Sequence, residues 1–198
     1  MKVYRIIPLV TMLAVACGGD EPATGSSTSG PAAQPAVQTP AGPAAPTGAL
    51  TVPDWYVVDH DARTVDLSIV AGASPDNNYW NFNGFVRGQI SIVVPAGYTV
   101  SVEFTNRDPN MAHSLGVSAE RSNFMTPPAP TPVFAGAITG NPQSMLEATM
   151  PGETESVRFL ADTAGEYSLV CYIAGHSAVG MWVFFDVSAD GEAGVRGL

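Results

Sequence analysis

The chain has 198 residues, of which 45% are hydrophobic and 13% charged, and its formal net charge is −10. This length leaves room for one domain of about 140 residues, which would bury roughly two-thirds of the surface exposed by its unfolded chain. The acidic balance argues against nucleic-acid binding and against docking flat on anionic lipid, because both need positive charge.

The first residues have the pattern of a targeting segment. Lys2 and Arg5 accompany an apolar run at residues 6–16, which is too short to span a membrane. Residues 14–17, Ala-Val-Ala-Cys, resemble a bacterial lipoprotein cleavage box, although Ala14 stands where Leu is usual. We therefore expect residues 1–16 to be a lipoprotein-type signal peptide and Cys17 to be lipidated, with simple secretion as the alternative. The protein would then be exported, periplasmic or on the cell surface, and would touch the membrane only through its lipid anchor.

Residues 17–48 are rich in Ala, Pro, Gly and Ser and contain almost no large apolar side chain. Such a segment cannot bury enough surface to offset the entropy of ordering, so it predicts a disordered tether. Residues 49–189 would form the folded domain, and residues 190–198 a C-terminal tail. Once Lys2 and Arg5 are removed, six arginines face 18 acidic residues, a net charge of −12. That charge either favours a basic partner or only keeps the protein soluble.

Short alternating segments after residue 49 predict an all-β fold. Residues 90–94 and 98–105 alternate apolar and polar side chains around a Pro-Ala-Gly turn, so we expect them to form a hairpin. The same alternation points Cys171 and Met181 towards the core. Weaker strand candidates lie at residues 50–52, 56–59, 64–70 and 79–85, and residues 121–150 are expected to form a long excursion. The pattern predicts an antiparallel β-sandwich of about seven or eight strands.

One short segment between two predicted strands carries a thiol, an imidazole and a thioether, on Cys171, His176 and Met181. With His113 from an upstream segment, these groups make the donor set of a mononuclear blue-copper site. Each residue also has a simpler interpretation, as a buried cysteine, a surface histidine or a core methionine. A lone thiol in an exported protein is at risk of oxidation unless it is buried or metal-bound, which favours the ligand interpretation.

Four segments together resemble the sulfocyanins, which are blue-copper proteins within the cupredoxin family. The segments are residues 80–84 (Trp-Asn-Phe-Asn-Gly), 92–98, 113–115 (His-Ser-Leu) and 171–182, and the last is the most specific. The resemblance covers about residues 50–188. It implies a cupredoxin-like Greek-key β-sandwich and one type 1 copper ion, with His113, Cys171 and His176 as strong ligands and Met181 as the weak axial ligand. It also implies a one-electron shuttle rather than an enzyme.

The resemblance extends to the surroundings of the metal. Ser114 stands where many cupredoxins have an Asn that ties the two ligand loops together, and Asn83 is expected to lie close to the ligands as well. An apolar patch around His176 is expected to dock redox proteins such as a cytochrome or a terminal oxidase, with the chain itself a monomer. The expected members of this patch are Ile173, Ala174, Ala178, Val179 and Met111.

Two other functions can be compared with electron transfer. A copper enzyme would need a second copper centre with several more imidazoles, yet the chain has three histidines in all. A copper carrier or storage protein that delivers Cu(I) to a recipient would share soft ligands and export. Carriers usually hold copper in exposed clusters rich in Met and His, and the sequence has no such cluster.

Overall fold

The computed structural model describes residues 42–198. The predicted signal peptide, Cys17 and residues 17–41 of the predicted tether lie outside the described residues. Within residues 42–198, the regular structure consists of nine β-strands and one short 3₁₀ turn at Asp76–Tyr79. No helix in this range is both long enough and apolar enough to cross a membrane.

The strands form two sheets. The four-stranded sheet contains Tyr56–Asp59 (β1), Thr64–Ala71 (β2), Tyr98–Asn106 (β4) and Thr154–Ala161 (β6), in the order β1-β2-β4-β6. The five-stranded sheet contains Ser91–Pro95 (β3), Gly116–Ser118 (β5), Gly165–Val170 (β7), Trp182–Ser188 (β8) and Gly194–Arg196 (β9), in the order β5-β7-β8-β3-β9. The pairs β2/β4 and β3/β8 are parallel, and the other pairs are antiparallel.

The core lies between the two sheets and follows the alternation of the sequence. Val100, Val102 and Phe104 of β4 are buried, and they belong to one apolar cluster with Leu169 of β7 and Val183 of β8. The predicted all-β sandwich is confirmed, but both sheets are mixed rather than antiparallel, because β2 pairs with β4 and β3 with β8 in parallel. The structure has nine strands, more than the seven or eight predicted. The alternating pattern could not reveal β5 and β9, because each is only three residues long.

The hairpin predicted at residues 90–105 is wrong. Strands β3 and β4 belong to different sheets, and the turn between them carries the chain across the sandwich. The Ala96 N–H donates to the Ser188 carbonyl at the end of β8, whereas the Gly97 N–H donates to the Ala161 carbonyl of β6. Two adjacent residues are thus bound to opposite sheets, so the chain cannot fold back on itself there.

Both ends of the described chain lie against the sandwich. Gly194–Arg196, in the segment expected to be a tail, forms β9 and pairs with β3. Thr51 exchanges backbone hydrogen bonds with Val195 at 3.0 and 2.8 Å. Ala45, in the segment expected to be tether, packs on a small apolar cluster around Trp182 and Phe184.

Two segments without strands surround one end of the sheets. Residues 79–85, a weak strand candidate, instead form turns and isolated bridges, including Ala71 with Phe82. Residues 121–150 contain no strand, as expected for the excursion, and they are bound to the five-stranded side through the bridges Gly116–Ile138 and His113–Thr149.

Candidate metal centre

Three neighbouring strands bring the predicted ligands to one end of the five-stranded sheet. His113 lies just before β5, Cys171 directly follows β7, and Met181 directly precedes β8. Because Gly116 pairs with Val170, and Val170 with Trp182, these three positions fall side by side. His176 lies on the loop that joins β7 to β8.

The backbone closes that loop tightly. The Met181 N–H donates to the His176 carbonyl at 2.9 Å, and the Cys171 N–H donates to the Met181 carbonyl at 3.2 Å. The His176 N–H donates to the Ile173 carbonyl at 3.1 Å. These hydrogen bonds therefore fix the three residues relative to one another.

His113, Cys171 and His176 form a triangle of donor atoms. The two Nδ1 atoms are 3.2 Å apart, and Cys171 Sγ lies 3.5 Å from His176 Nδ1 and 4.0 Å from His113 Nδ1. The Met181 side chain is fully buried, and Met181 belongs to the same apolar cluster as Cys171. The structure thus brings together all four residues proposed as ligands from the sequence.

The site is dry. His113 and Cys171 are both 0% exposed, and His176 is 1% exposed. Burial, together with the neighbouring His113, lowers the pKa of His176 to about 3. Burial also lowers the pKa of His113, against the opposing effect of Asp108. Burial therefore favours the neutral form of both imidazoles, which keeps a lone pair for a metal.

The thiol is held by two polar contacts from Ser114. Burial raises the pKa of Cys171, and the backbone N–H groups of Ser114 and Ile173 oppose that rise by hydrogen bonding. The Ser114 N–H lies 3.5 Å from Sγ, and the Ser114 hydroxyl lies 3.6 Å from it. The same hydroxyl accepts a hydrogen bond from the Tyr172 N–H at 2.9 Å. Ser114 therefore ties the two ligand segments together, although its side chain is shorter than the Asn that many cupredoxins have at this position.

Asp108 is a residue of the site that the sequence reasoning missed. Its carboxylate lies 2.8 Å from His113 Nε2 and is 2% exposed. The other carboxylate oxygen accepts the N–H groups of Asn110 and Met111, at 2.8 and 3.1 Å. Because Nε2–H donates a hydrogen bond to Asp108, the lone pair that can bind a metal lies on Nδ1, which faces Cys171. The available signal was an Asp five residues before the histidine.

Trp80 is a second residue of the site with an unexpected role. Its indole stacks on the His176 imidazole with ring centroids 3.9 Å apart and an interplanar angle of 18°. Trp182, which follows Met181 in the chain, packs against Phe124 and Phe184 instead.

Asn83 and Ile173 do not have the positions expected for them. Asn83 binds the edge of β2, because its amide accepts the Val70 N–H and donates to the Ser68 carbonyl, and the structure gives it no hydrogen bond to a proposed ligand. Ile173 was expected in the docking patch, but it is 1% exposed and part of the core. It points inward because its strand phase continues that of Leu169 and Cys171.

The remaining members of the expected patch do reach the surface. Ala174 and Ala178 are exposed, Val179 is 44% exposed, and Met111 is half-buried. They flank His176 and His113 along the chain. An apolar surface therefore lies over the ligand loop.

The donor set fits one small metal ion. A point equidistant from the three donor atoms lies about 2.1 Å from each of them, close to the bond lengths of about 2.0–2.3 Å that imidazole nitrogen and thiolate sulfur make to such ions. Two imidazoles and one thiolate in a plane, with a thioether nearby, are the set that a mononuclear copper site uses. Nothing else among the described residues forms a comparable group of His, Cys, Asp and Glu donors.

Comparison with known proteins agrees with this chemistry. Residues 54–193 match the family model described as the sulfocyanin (SoxE) domain. The chain is 35% identical over 127 residues to the sulfocyanin of Sulfolobus acidocaldarius, with 61% of each protein covered. The match therefore spans less than two-thirds of that relative's length.

Rusticyanin is similar as well. The chain is 30% identical over 126 residues to the rusticyanin of Acidithiobacillus ferrooxidans, which covers 63% of this chain and 77% of that protein. A solved structure of rusticyanin from Thiobacillus ferrooxidans has 26% identity, covers 68% of this chain and 87% of that chain, and superposes with a TM-score of 0.47.

Proposed function

The chain belongs to the sulfocyanin family of blue copper proteins, and on that premise we propose that it shuttles single electrons between redox proteins outside the cytoplasm. The family's cofactor is one type 1 copper ion, and the donor set described above suits that ion. His113, Cys171 and His176 are the proposed strong ligands, and Met181 is the proposed axial ligand. Bound copper supplies a one-electron couple between Cu(II) and Cu(I).

The observation that carries this proposal is the buried triangle of donor atoms, held in place by hydrogen bonds. Ser114 and Asp108 hold two of its corners through hydrogen bonds, and packed strands hold the residues on either side. Ligands fixed in this way rearrange little when the charge of the site changes by one. Small rearrangement favours fast electron exchange, and the buried surroundings keep water away from the ligands.

The same burial weakens the alternative of a copper carrier. A carrier has to release its ion to a recipient, which requires ligands that a second protein can reach. Here Cys171 and His113 are fully buried, and the backbone bonds of the ligand loop would have to open first. The shuttle is therefore the better supported function.

The site of action is part of the proposal and rests on the sequence. Export would be directed by residues 1–16, lipidation of Cys17 would anchor the chain, and residues 17–48 would let a monomeric domain reach its partners. The proposed partners are redox proteins such as a cytochrome or a terminal oxidase. Exposed Ala174, Ala178 and Val179 support transient docking of such partners near His176.

Voltammetry of the copper-loaded protein tests the electron-transfer function. We expect a reversible one-electron wave, with Cu(I) retained through repeated cycles in the presence of a Cu(I) chelator. Rapid loss of Cu(I) to the chelator, together with an irreversible wave, would favour the carrier instead.

Expression of the full chain in a bacterial host tests the location. We expect the intact protein in the membrane fraction with a lipid on Cys17 by mass spectrometry, and Cys17→Ser in the soluble extracytoplasmic fraction. If both proteins were soluble, simple secretion would replace the anchored shuttle.

A further inference from the structure

The ligand expected to face a redox partner is covered. His176 is 1% exposed, so a partner that docks on the loop cannot touch its imidazole over any sizeable area. The face of the ring is occupied by Trp80, whose indole is itself only half-buried. Trp80 is therefore the group that links His176 to the surface.

The segment that carries Trp80 has an unusual backbone. Asn77, Asn78 and Tyr79 all have positive φ values, of 51°, 59° and 62°. The left-handed conformation costs roughly 1–2 kcal/mol per residue for side chains other than Gly, and Asn tolerates it better than Tyr. Three such residues in a row persist only where other contacts hold them, and such strain often accompanies function.

Buried amide contacts provide part of that hold. The Asn81 side chain is fully buried, donates to the Ser74 and Asp76 carbonyls at 2.9 Å each, and accepts the N–H groups of Ala73 and Gly84 at 3.1 Å. The Asn77 amide donates to the Trp80 carbonyl at 2.8 Å.

Arg87 clamps this segment onto the ligand loop. Its guanidinium donates to Asn77 Oδ1 at 3.0 Å and to the Val179 carbonyl at 2.7 Å, and its backbone N–H donates to the Gly180 carbonyl at 2.9 Å. The Trp80 Nε1 atom is buried without a hydrogen-bond partner among the described residues. Packing and the clamp, rather than a bond from the indole N–H, therefore hold the ring on His176.

We propose that Trp80 is the contact through which electrons cross between the metal site and a redox partner. The inference rests on the proposed electron-transfer function and assigns the route to one side chain. A reduced one-electron partner would lose one electron, which Cu(II) held by His176 would take up to become Cu(I). With an oxidised partner the transfer would run in the opposite direction. No bond forms or breaks, and the indole is neither oxidised nor protonated.

The test uses Trp80→Leu, with Trp80→Phe as the conservative variant and Trp55→Leu as the matched control. Trp55 is also half-buried and packs on the core, but it lines a surface cavity of about 450 Å³ on the four-stranded sheet. The first readout needs no copper: the His176 ring protons of the metal-free protein should show a ring-current shift in the NMR spectrum. We expect the shift to be lost in Trp80→Leu and retained in Trp55→Leu.

The second readout is the rate of electron self-exchange between oxidised and reduced copies, measured by NMR line broadening at high salt to screen the negative charge. We expect Trp80→Leu to slow the exchange by about tenfold or more, as is typical when a central Trp is removed from a protein contact. Trp80→Phe and Trp55→Leu should stay close to the unmodified protein. An exchange rate in Trp80→Leu equal to or above that of the unmodified protein would overturn the proposal. The indole would then either take no part in the electron transfer or slow it.

Arg87→Gln provides an independent variant if Trp80→Leu loses copper. Arg87 is exposed, so the fold should tolerate the change, while the clamp on Asn77 and Val179 is weakened. We expect a smaller ring-current shift together with slower exchange. A lost shift with unchanged exchange would refute the route through Trp80.

Different results would contradict the proposed electron-transfer function and the proposed role of Trp80. If the unmodified protein shows no reversible one-electron couple, the proposed function itself falls. If the couple is present and Trp80→Leu exchanges electrons normally, only the role of Trp80 falls.

Discussion

At the scale of single residues, the hydrogen bond from His113 Nε2 to Asp108 places a buried carboxylate directly behind a proposed metal ligand. The carboxylate is 2% exposed, and two backbone N–H groups satisfy its other oxygen. A fixed negative charge behind a ligand makes that ligand a stronger donor and stabilises the more highly charged state of a bound ion. Asp108 should therefore hold the reduction potential down.

Asp108→Asn should raise the reduction potential. The single amide oxygen can accept from His113 or from the Asn110 and Met111 N–H groups, but not from both sides. In either orientation the negative charge is gone. At an effective dielectric constant of about 20, a unit charge a few ångströms beyond a ligand is worth roughly 2–3 kcal/mol, which for a one-electron couple is on the order of 100 mV. Voltammetry of the two copper-loaded proteins measures the shift.

Asp66→Asn is the control for this experiment. It makes the same change of charge on the exposed face of β2, where solvent screens it. An Asp108→Asn potential no higher than that of Asp66→Asn would contradict the role given to Asp108.

At the scale of elements, the ligand loop depends on a glycine that lies under an arginine. Gly180 has a φ of 115°, and a Cβ atom built there would lie 2.5 Å from Arg87 Cγ. Gly175 in the same loop has a φ of 89°, but a Cβ there would meet nothing within 4 Å. The two positions share backbone strain and differ in steric room.

Gly180→Ala should therefore destabilise the metal-free protein more than Gly175→Ala. Strain alone costs roughly 1–2 kcal/mol at either position, and displacement of Arg87 adds to that cost at Gly180. Urea denaturation measures the free energy of unfolding of both variants. Equal losses would mean that Arg87 moves aside freely and does not clamp the loop.

The elements also show which features could be predicted from the sequence. The all-β class and the inward phase of Cys171 follow from local alternation, and the ligands Cys171, His176 and Met181 lie within one short loop. The β3–β4 hairpin prediction failed because the sequence of a two-residue turn is similar whether the chain folds back within one sheet or crosses to the other sheet. Trp80 was missed as a neighbour of His176 because that contact joins segments far apart in the chain, and no local pattern encodes it.

At the scale of the whole molecule, two neutral buried histidines couple stability to pH. The pKa of His176 falls from its ordinary value of 6.5 to about 3 on folding, and the pKa of His113 falls as well. Between about pH 6.5 and pH 3 the unfolded chain therefore binds more protons than the folded one. Protons favour the unfolded chain in that window, so stability decreases as the pH falls.

The metal-free protein should lose stability as the pH falls below 6.5. One such histidine contributes up to about 1.4 kcal/mol per pH unit within the window. Urea denaturation at a series of pH values measures the slope. His176→Gln should flatten it. Bound copper should not flatten it, because the folded histidines stay unprotonated in this window with or without the ion, while the unfolded chain still takes up protons.

His60→Gln is the matched control, since His60 lies on the surface and far from the site in sequence. The pH slope of this variant should match that of the unmodified protein. Constant stability of the metal-free protein between pH 7 and pH 4 would show that the buried imidazoles do not resist protonation.

The measurement that tests the account most directly is a titration of the metal-free protein with Cu(II), followed by visible absorption. A thiolate bound to Cu(II) in this donor set gives an intense charge-transfer band, so we predict a strong blue or green colour that saturates at one copper per chain. Cys171→Ser removes the thiolate and should remain almost colourless while keeping both imidazoles. A colourless unmodified protein, or an equally coloured Cys171→Ser, would contradict a copper centre built on Cys171.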